Sequence, residues 1–319
     1  MSVGTDPPLI GGPAAWRGPD LVGSPEWIVE LDDGQIAALI QAARQAPHEP
    51  SAHRDSPALA ALADLARHTR RELVDGRGFV VLRGLPVDAL TAEEIERAYW
   101  VLGRHIGIPV PQTGAGELLV HVRDQGLDYR DPHVRGYQTR AGLDFHVDGS
   151  DVVGLLCVRA ARTGGISTIV SSTAIHDECV VRRPHLARLL HRPFWFDRRN
   201  GDGADSFYQL SIFGFEDGRF AMYYGRSYIE SAQRGPQTDT LTVEQLQAFD
   251  LIDQLANSPE LVLPMDLRPG DVQFLNNKLV MHARTSYEDW PEPERHRDMV
   301  RLWLSLGSGQ PSEMVPEQH

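Results

Sequence analysis

From Ile106 onward the chain is a succession of short apolar, strand-like pieces separated by polar loops rich in Gly, Asp and Arg. Leu143 to Val147, Val152 to Val158, Ile166 to Ser171, Phe194 to Phe196, Leu261 to Leu263, Val272 to Leu275, Leu279 to Ala283 and Met299 to Leu306 all read this way. None can bury its apolar face alone, and the loops between them are too irregular for a repeat. Strands of this kind must pair into two facing sheets, so the pattern predicts a sandwich or jelly roll. Val152 to Val158 is apolar at nearly every position, as for a strand covered on both faces. Phe213 to Phe220 predicts a hairpin turning at Asp217-Gly218.

Helices are expected around this β unit. Ile36, Leu39, Ile40 and Ala43 follow a helical spacing after Asp32 and Asp33. Ser56-Pro57 is a helix start leading through Leu59, Leu62, Leu65 and Leu73, and Thr91-x-x-Glu94 is a capping box for a third helix ending near Gly103. Thr173 to about Leu190 predicts another helix, and Thr242-x-x-Gln245 caps one that interrupts the strands. The fold class expected is mainly β with helices (α+β). Residues 1–74 form an arm and helices packed on the core, 75–310 the core with a helical insertion at about 240–258, and 311–319 a tail, one domain overall.

Composition removes several functions. With 31 Lys+Arg against 44 Asp+Glu the formal charge is −13, which argues against nucleic acid or an anionic membrane as partner. Lys278 is the one lysine among the basic residues, a bias expected of a high-GC bacterial genome. Cys157 and Cys179 lack CxxC spacing and read as reduced, buried thiols. The first residues show neither a basic start nor a long apolar run, and no run approaches the ~18 residues of a membrane span. A cytoplasmic protein is expected, acting on a small molecule; a homo-oligomer is compatible with the sequence.

The chemistry is anchored in Leu143 to Asp151 (LDFHVDGSD). Leu143, Phe145 and Val147 alternate with polar residues, so His146 and Asp148 are expected on the opposite face of one strand. The pair alone is a chance-level pattern. No HExxH is present, which removes the common zinc hydrolase arrangement. His-x-Asp on a strand, completed by a distant His, is instead the two-histidine, one-carboxylate set of non-haem Fe(II) oxygenases. His176 and His185 fall in a predicted helix, and His48, His53, His68 and His319 lie outside the strand-rich half. His282 stands out, because it follows an Arg-Pro-Gly-Asp turn (268–271) and sits in the second strand of a hairpin-like unit.

Taken together, His146-x-Asp148, Gly164-Gly165-x-Ser167, Asn277 to Arg284 with its His282-x-Arg284, and Arg297 to Leu304 (RDMVRLWL) resemble the taurine dioxygenase/clavaminate synthase-like Fe(II)/2-oxoglutarate oxygenases over about residues 75–306. The resemblance implies a distorted double-stranded β-helix (jelly roll, cupin-like) flanked by helices. It implies iron held by His146, Asp148 and His282, with 2-oxoglutarate and O₂ as co-substrates and succinate and CO₂ as products. Arg301 would pair with the far carboxylate of 2-oxoglutarate, where a guanidinium fork fits. Arg297 either assists it or is a surface residue, and Ser167 would bond the same carboxylate, with Thr168 as the alternative if the register slips by one. Related halogenases lack the carboxylate ligand, so Asp148 favours oxygenation. Hydroxylation is the expected outcome, with desaturation, epoxidation or cyclisation as alternatives on the same cofactors.

The loops over the metal supply the substrate contacts in this family. Gln112, Arg135, Tyr137, Gln138 and Arg226 are the candidates here, each with a solvated or ion-paired loop residue as an equal alternative. The arginines favour a carboxylated or amino-acid-like substrate. A non-catalytic ligand-binding or sensor protein of the same fold would be expected to lack a metal ligand or the co-substrate arginine, and neither is missing.

Overall fold

A computed structural model describes residues 6–45, 58–128, 134–198 and 206–307. The chain begins with α1 (Gly18–Val22), β1 (Ile28–Glu30), α2 (Asp33–Gln45), α3 (Ala58–Val74), β2 (Phe79–Arg83), α4 (Ala92–Ile106), β3 (Ile108–Pro109), β4 (Leu119–Val122), β5 (Leu143–His146) and β6 (Val152–Arg159). It continues through β7 (Thr163–Gly164), β8 (Ser167–Ser171), α5 (Ser172–Arg182), α6 (Pro184–Leu190), β9 (Pro193–Asp197), β10 (Phe207–Ser211), β11 (Phe213–Glu216), β12 (Arg219–Met222) and α7 (Arg226–Ser231). The last elements are α8 (Val243–Ala256), β13 (Leu263–Met265), β14 (Val272–Asn276), β15 (Val280–Arg284), β16 (Tyr287–Glu288) and β17 (Asp298–Ser305).

Two sheets carry the architecture. The larger runs β1-β2-β14-β6-β17-β3, with β4 also paired to β17, and the smaller runs β13-β8-β15-β5. All these pairings are antiparallel except β1 with β2. Alternation along each strand sorts the side chains into layers. On β2, Phe79 and Val81 join Val153, Leu275 and Trp303 against Ile169, Leu263 and Val280 of the smaller sheet, filling the space between the sheets. Val80 and Leu82 point the other way, with Val152, Leu156, Val300 and Leu302, into a second core closed by α2, α3 and α4. The outer face of the smaller sheet, through Phe145, Val170, Met281 and Ala283, packs on α5, α6 and α8 and on the β9–β12 hairpins.

The α+β jelly roll expected from the strand pattern is the fold that forms. Most local signals act as read. Thr91 and Thr242 each close a capping box with the residue three positions on. Asp217 and Gly218 both take positive φ (48° and 77°), the geometry a two-residue hairpin turn requires. The expected helix from Thr173 to Leu190 is two helices, because Pro184 has no N–H to continue the first and opens the second. Strand β1 is an addition: three residues, too short to show a period, become a strand by pairing with β2. The Ser56-Pro57 start and the tail from 311 lie outside the described residues. Cys157 and Cys179 are free and buried, and burial pushes both thiols up to about 12. Among the described residues no helix is long and apolar enough to cross a membrane.

Arg83 on β2 donates through Nε and Nη2 to the two oxygens of Asp271, each at 2.8 Å, and Asp271 is 1% exposed. This fork fixes the turn before β14, and so the hairpin that delivers His282. Packing on the helical side is equally tight at Gly154 of β6. A Cβ there would lie 2.4 Å from the Tyr99 hydroxyl and 2.8 Å from the Phe274 ring. Gly154→Ala is therefore expected to cost about 1–3 kcal/mol by overpacking, read as a fall of several degrees in melting temperature. An unchanged melting curve would contradict this packing.

Candidate active site

The site is built where β5 meets β15. Their register places His146 directly opposite His282, and a bulge between His282 and Arg284 ends the regular pairing. The two imidazole rings lie 4.4 Å apart between centroids. β5 stops at His146, so Asp148 is not on the strand as expected but in the loop beyond it. The turn brings its carboxylate back over both rings: His146 Nε2 to Asp148 Oδ1 and His282 Nε2 to Asp148 Oδ2 are each 3.8 Å. One ligand atom from each residue falls within 4.8 Å of the others, a spacing suited to one metal ion.

Both sheets hold that loop in place. Asn277, in the turn between β14 and β15, accepts from the Asp148 backbone N–H at 3.2 Å and donates to the Ser150 carbonyl at 2.9 Å. From β17, the Trp303 indole N–H donates to Asp148 Oδ2 at 3.0 Å. Asp151 accepts from the Leu306 N–H and the Ser305 hydroxyl, and Lys278 bridges Asp151 and Glu216. Lys278 is thus a structural tie behind the site.

The protonation states suit metal binding. His146 Nδ1 lies 2.7 Å from the Asp144 carbonyl, so Nδ1 carries the proton and Nε2 is left as a ligand. Burial, and then the neighbouring His146, pull the His282 imidazole down to about 3, so it is neutral at ordinary pH. Burial alone would raise Asp148, but Arg301, His282, His146 and the Trp303 N–H outweigh it and hold the carboxylate below its usual range. The donor set is therefore one carboxylate and two imidazoles, which fits a divalent transition metal.

Behind the triad, the inward faces of both sheets present polar groups. Strand alternation places Ser167 beside Ile169 in the space between the sheets, where its hydroxyl contacts Gln273 of the opposite sheet. Thr168 has the opposite parity, shared with Val170, and faces the outer helical layer. Of the two, Ser167 is the one that faces the space between the sheets. Arg297 is 4% exposed and is no surface residue. Its Nη1 is buried without an acceptor among the described residues, and burial lowers its pKa. Gly164 and Gly165 make this possible: both have positive φ, and a Cβ on Gly165 would lie 3.1 Å from Arg297 Nε. Arg301 sits closer to the triad, with Nη1 3.9 Å from Asp148 Oδ2 and its guanidinium carbon 4.9 Å from the Trp303 ring centre.

A cavity of about 210 Å³ opens over His146 and Asp148. Of the expected substrate residues, Arg135, Tyr137 and Arg226 line it. Arg226 is committed to Glu230, Asp250 and Asp253. Gln112 is fully buried and does not reach the cavity; its Oε1 accepts from Arg301 Nε at 2.7 Å while its amide donates to the Leu118 and Arg301 carbonyls. Gln138 is also off the wall, holding the Arg135 N–H and contacting Gln125. The sequence reading did not single out Arg198, Tyr208, Tyr223, Tyr224, Tyr228 or Trp303, all on the cavity wall. Most come from the β9–β10 and β11–β12 hairpins and the start of α7, whose aromatic residues are indistinguishable in sequence from core positions.

The model of the family described as "Taurine catabolism dioxygenase TauD, TfdA family" matches residues 42–303. The chain is 29% identical over 310 residues to FR-33289 synthase of Streptomyces rubellomurinus, covering 94% of this chain and 91% of that protein. Among solved structures, asparagine oxygenase in complex with Fe(II), 3-hydroxyasparagine and succinate superposes with a TM-score of 0.65 at 18% identity, over 88% of this chain and 94% of that one. The non-haem iron oxygenase OrfP in complex with Fe and alpha-ketoglutaric acid gives 0.63 at 14% identity, over 87% and 94%.

The contact between Trp303 and Asp148 generates a direct test. Trp303→Phe keeps the ring that packs between the sheets and removes the N–H donor. Metal affinity, measured by calorimetric titration of Fe(II) or Mn(II), is expected to fall about 10–100-fold, as for loss of a partner that orients a ligand. Equal affinity in variant and parent would show that the indole does not position the carboxylate.

Proposed function

The chain belongs to the TauD/TfdA dioxygenase family, and on that premise we propose that it is an Fe(II)- and 2-oxoglutarate-dependent oxygenase. Its action would be to hydroxylate a small, amino-acid-like or carboxylated substrate, with release of succinate and CO₂. The observation that carries this reading is the His146, Asp148 and His282 cluster, within 4.8 Å, backed by two inward arginines with buried nitrogens lacking acceptors. His146, Asp148 and His282 would hold the iron, whose chemistry with 2-oxoglutarate and O₂ is oxidative decarboxylation coupled to removal of a hydrogen from a substrate carbon. The protein's own contribution is binding, orientation and exclusion of water.

Distance from the triad orders the two arginines. Arg301 lies beside a metal ligand, too near to meet the far end of a five-carbon diacid bound at the metal by its oxo-acid end. Arg297 immediately precedes β17 and lies next to the glycine turn that leads into Ser167. We therefore assign the far carboxylate to Arg297 and Ser167, in place of the Arg301 expected from the motif. Arg301, oriented by Gln112, serves the near end of the co-substrate and the substrate side. The burial of Arg297 strengthens a charge-assisted pair there.

The relatives' own ligands support the reaction class: the asparagine oxygenase structure holds 3-hydroxyasparagine with succinate, and OrfP has been captured with succinate and a hydroxylated arginine. A cavity of about 210 Å³ suits a small molecule of that kind.

Anaerobic addition of Fe(II) and 2-oxoglutarate is expected to give a weak visible charge-transfer band, absent in His282→Ala. No band in the intact protein, or a band that survives His282→Ala, would overturn the triad assignment. In succinate-release assays Arg297→Gln is expected to raise the KM for 2-oxoglutarate roughly 10–100-fold, the loss of a charged hydrogen bond. Arg301→Gln is expected to lower kcat as well. If Arg297→Gln leaves that KM unchanged, the far carboxylate is held elsewhere.

A further inference from the structure

Many arginines of the fold are committed to carboxylates. Arg83 forks onto Asp271, Arg234 forks onto Asp197, and Arg226 faces three acidic side chains. On the cavity wall, Arg301 beside the triad and two further arginines depart from that pattern. Arg135 precedes the short turn Gly136–Gln138, and Arg198 follows directly on β9. Nη1 of each is buried and meets no acceptor among the described residues. A guanidinium nitrogen withdrawn from water with nothing to donate to is unfavourable, and native proteins rarely keep one without a reason.

The surroundings sharpen the point. Arg198 is held in a defined plane, its guanidinium carbon 4.4 Å above the centre of the Tyr208 ring. Stacking satisfies the face of the guanidinium and leaves its N–H edge for a planar or tetrahedral oxyanion. The buried carboxylates of the same wall are already engaged, Asp148 with the triad and Trp303, Asp197 with Arg234. Asp144, the other acidic lining residue, is exposed. Among the described residues, a protein of net charge −13 thus presents guanidinium nitrogens without acceptors at its cavity.

We propose that Arg135 and Arg198 form an anion subsite in the substrate cavity, and that the substrate carries an oxyanion (carboxylate, phosphonate or phosphate) remote from the carbon that is oxidised. Neither residue lies on the strands that bear His146, His282 or Arg301, so the anion is held apart from the co-substrate. The subsite fixes one end of the molecule and leaves the other to reach the metal, which is how a binding group away from the reacting centre orients it. The inference rests on the oxygenase reading of this cavity.

The test titrates inorganic phosphate, methylphosphonate and acetate calorimetrically into the full chain, held in excess 2-oxoglutarate to occupy the inner arginines. At least one probe is expected to bind, and Arg135→Gln and Arg198→Gln are each expected to weaken the tightest of them about tenfold or more. Which probe binds tightest identifies the substrate's oxyanion as carboxylate, phosphonate or phosphate. Arg198→Lys keeps the charge and is expected to bind better than Arg198→Gln. Arg182→Gln, at an ion pair with Glu178 on α5, is expected to change nothing. Melting curves that match the parent show that the variants are folded. No heat from any probe in the parent, or unchanged affinity in both Gln variants, overturns the subsite. The anaerobic Fe(II)/2-oxoglutarate band, recorded in parallel, separates the two readings. A band in the parent with unaltered probe affinity in the variants overturns the subsite alone, and no band in the parent overturns the oxygenase reading while the titrations still judge the subsite.

Discussion

Asp148 is a carboxylate that must stay charged in a nearly dry place, and much of the fold can be read as what makes that tolerable. At 9% exposure its ionised form is disfavoured by burial. The Arg301 guanidinium and the Trp303 N–H compensate, and both arrive from β17 of the opposite sheet. Both sheets have to be assembled before the carboxylate is stable. The loop that carries it is tied by Asn277 in one hairpin turn and by Asp151 to the end of β17. A metal ion would replace part of this compensation with its own charge, so the geometry is prepared for a cation before one binds.

Charge pairing elsewhere follows the same economy. In an acidic chain nearly every partly buried arginine has carboxylates to choose from, and Arg83, Arg226 and Arg234 take them. Asp298 alone gathers His121, Arg123 and Arg159 at the start of β17. Among the described residues, guanidinium nitrogens buried without an acceptor include those at Arg297, and at Arg135, Arg198 and Arg301 on the cavity wall.

Much of the metal site was legible in the sequence, because metal ligation needs particular residue types at particular spacings. His146, Asp148 and His282 were identifiable from the His-x-Asp pair, the hairpin-like unit and the glycine turn. The placement of Asp148 was read wrongly, on the strand and not in the loop after it, since period-2 alternation continues through Val147 where pairing with β15 has already stopped. The choice between Ser167 and Thr168 turned on which parity faces the opposite sheet, which adjacent residues of similar chemistry do not reveal. Gln112 and Gln138 carried polar loop chemistry but face inward onto Arg301 and the Arg135 backbone.

What the sequence determined by itself is local or compositional: the paired short strands, the caps at Thr91 and Thr242, the turn at Asp217-Gly218, the ligand types, and the acidic balance. These depend on a few neighbouring residues and on side-chain chemistry. Only the tertiary structure decided which arginines are spent on ion pairs, that Arg301 and not Arg297 lies beside Asp148, and which aromatic residues form a cavity wall. Those properties are set by contacts between residues far apart in the chain, such as Arg83 with Asp271 or Arg301 with Gln112. Spacing along the sequence carries no record of them, because burial and pairing belong to the assembled sheets.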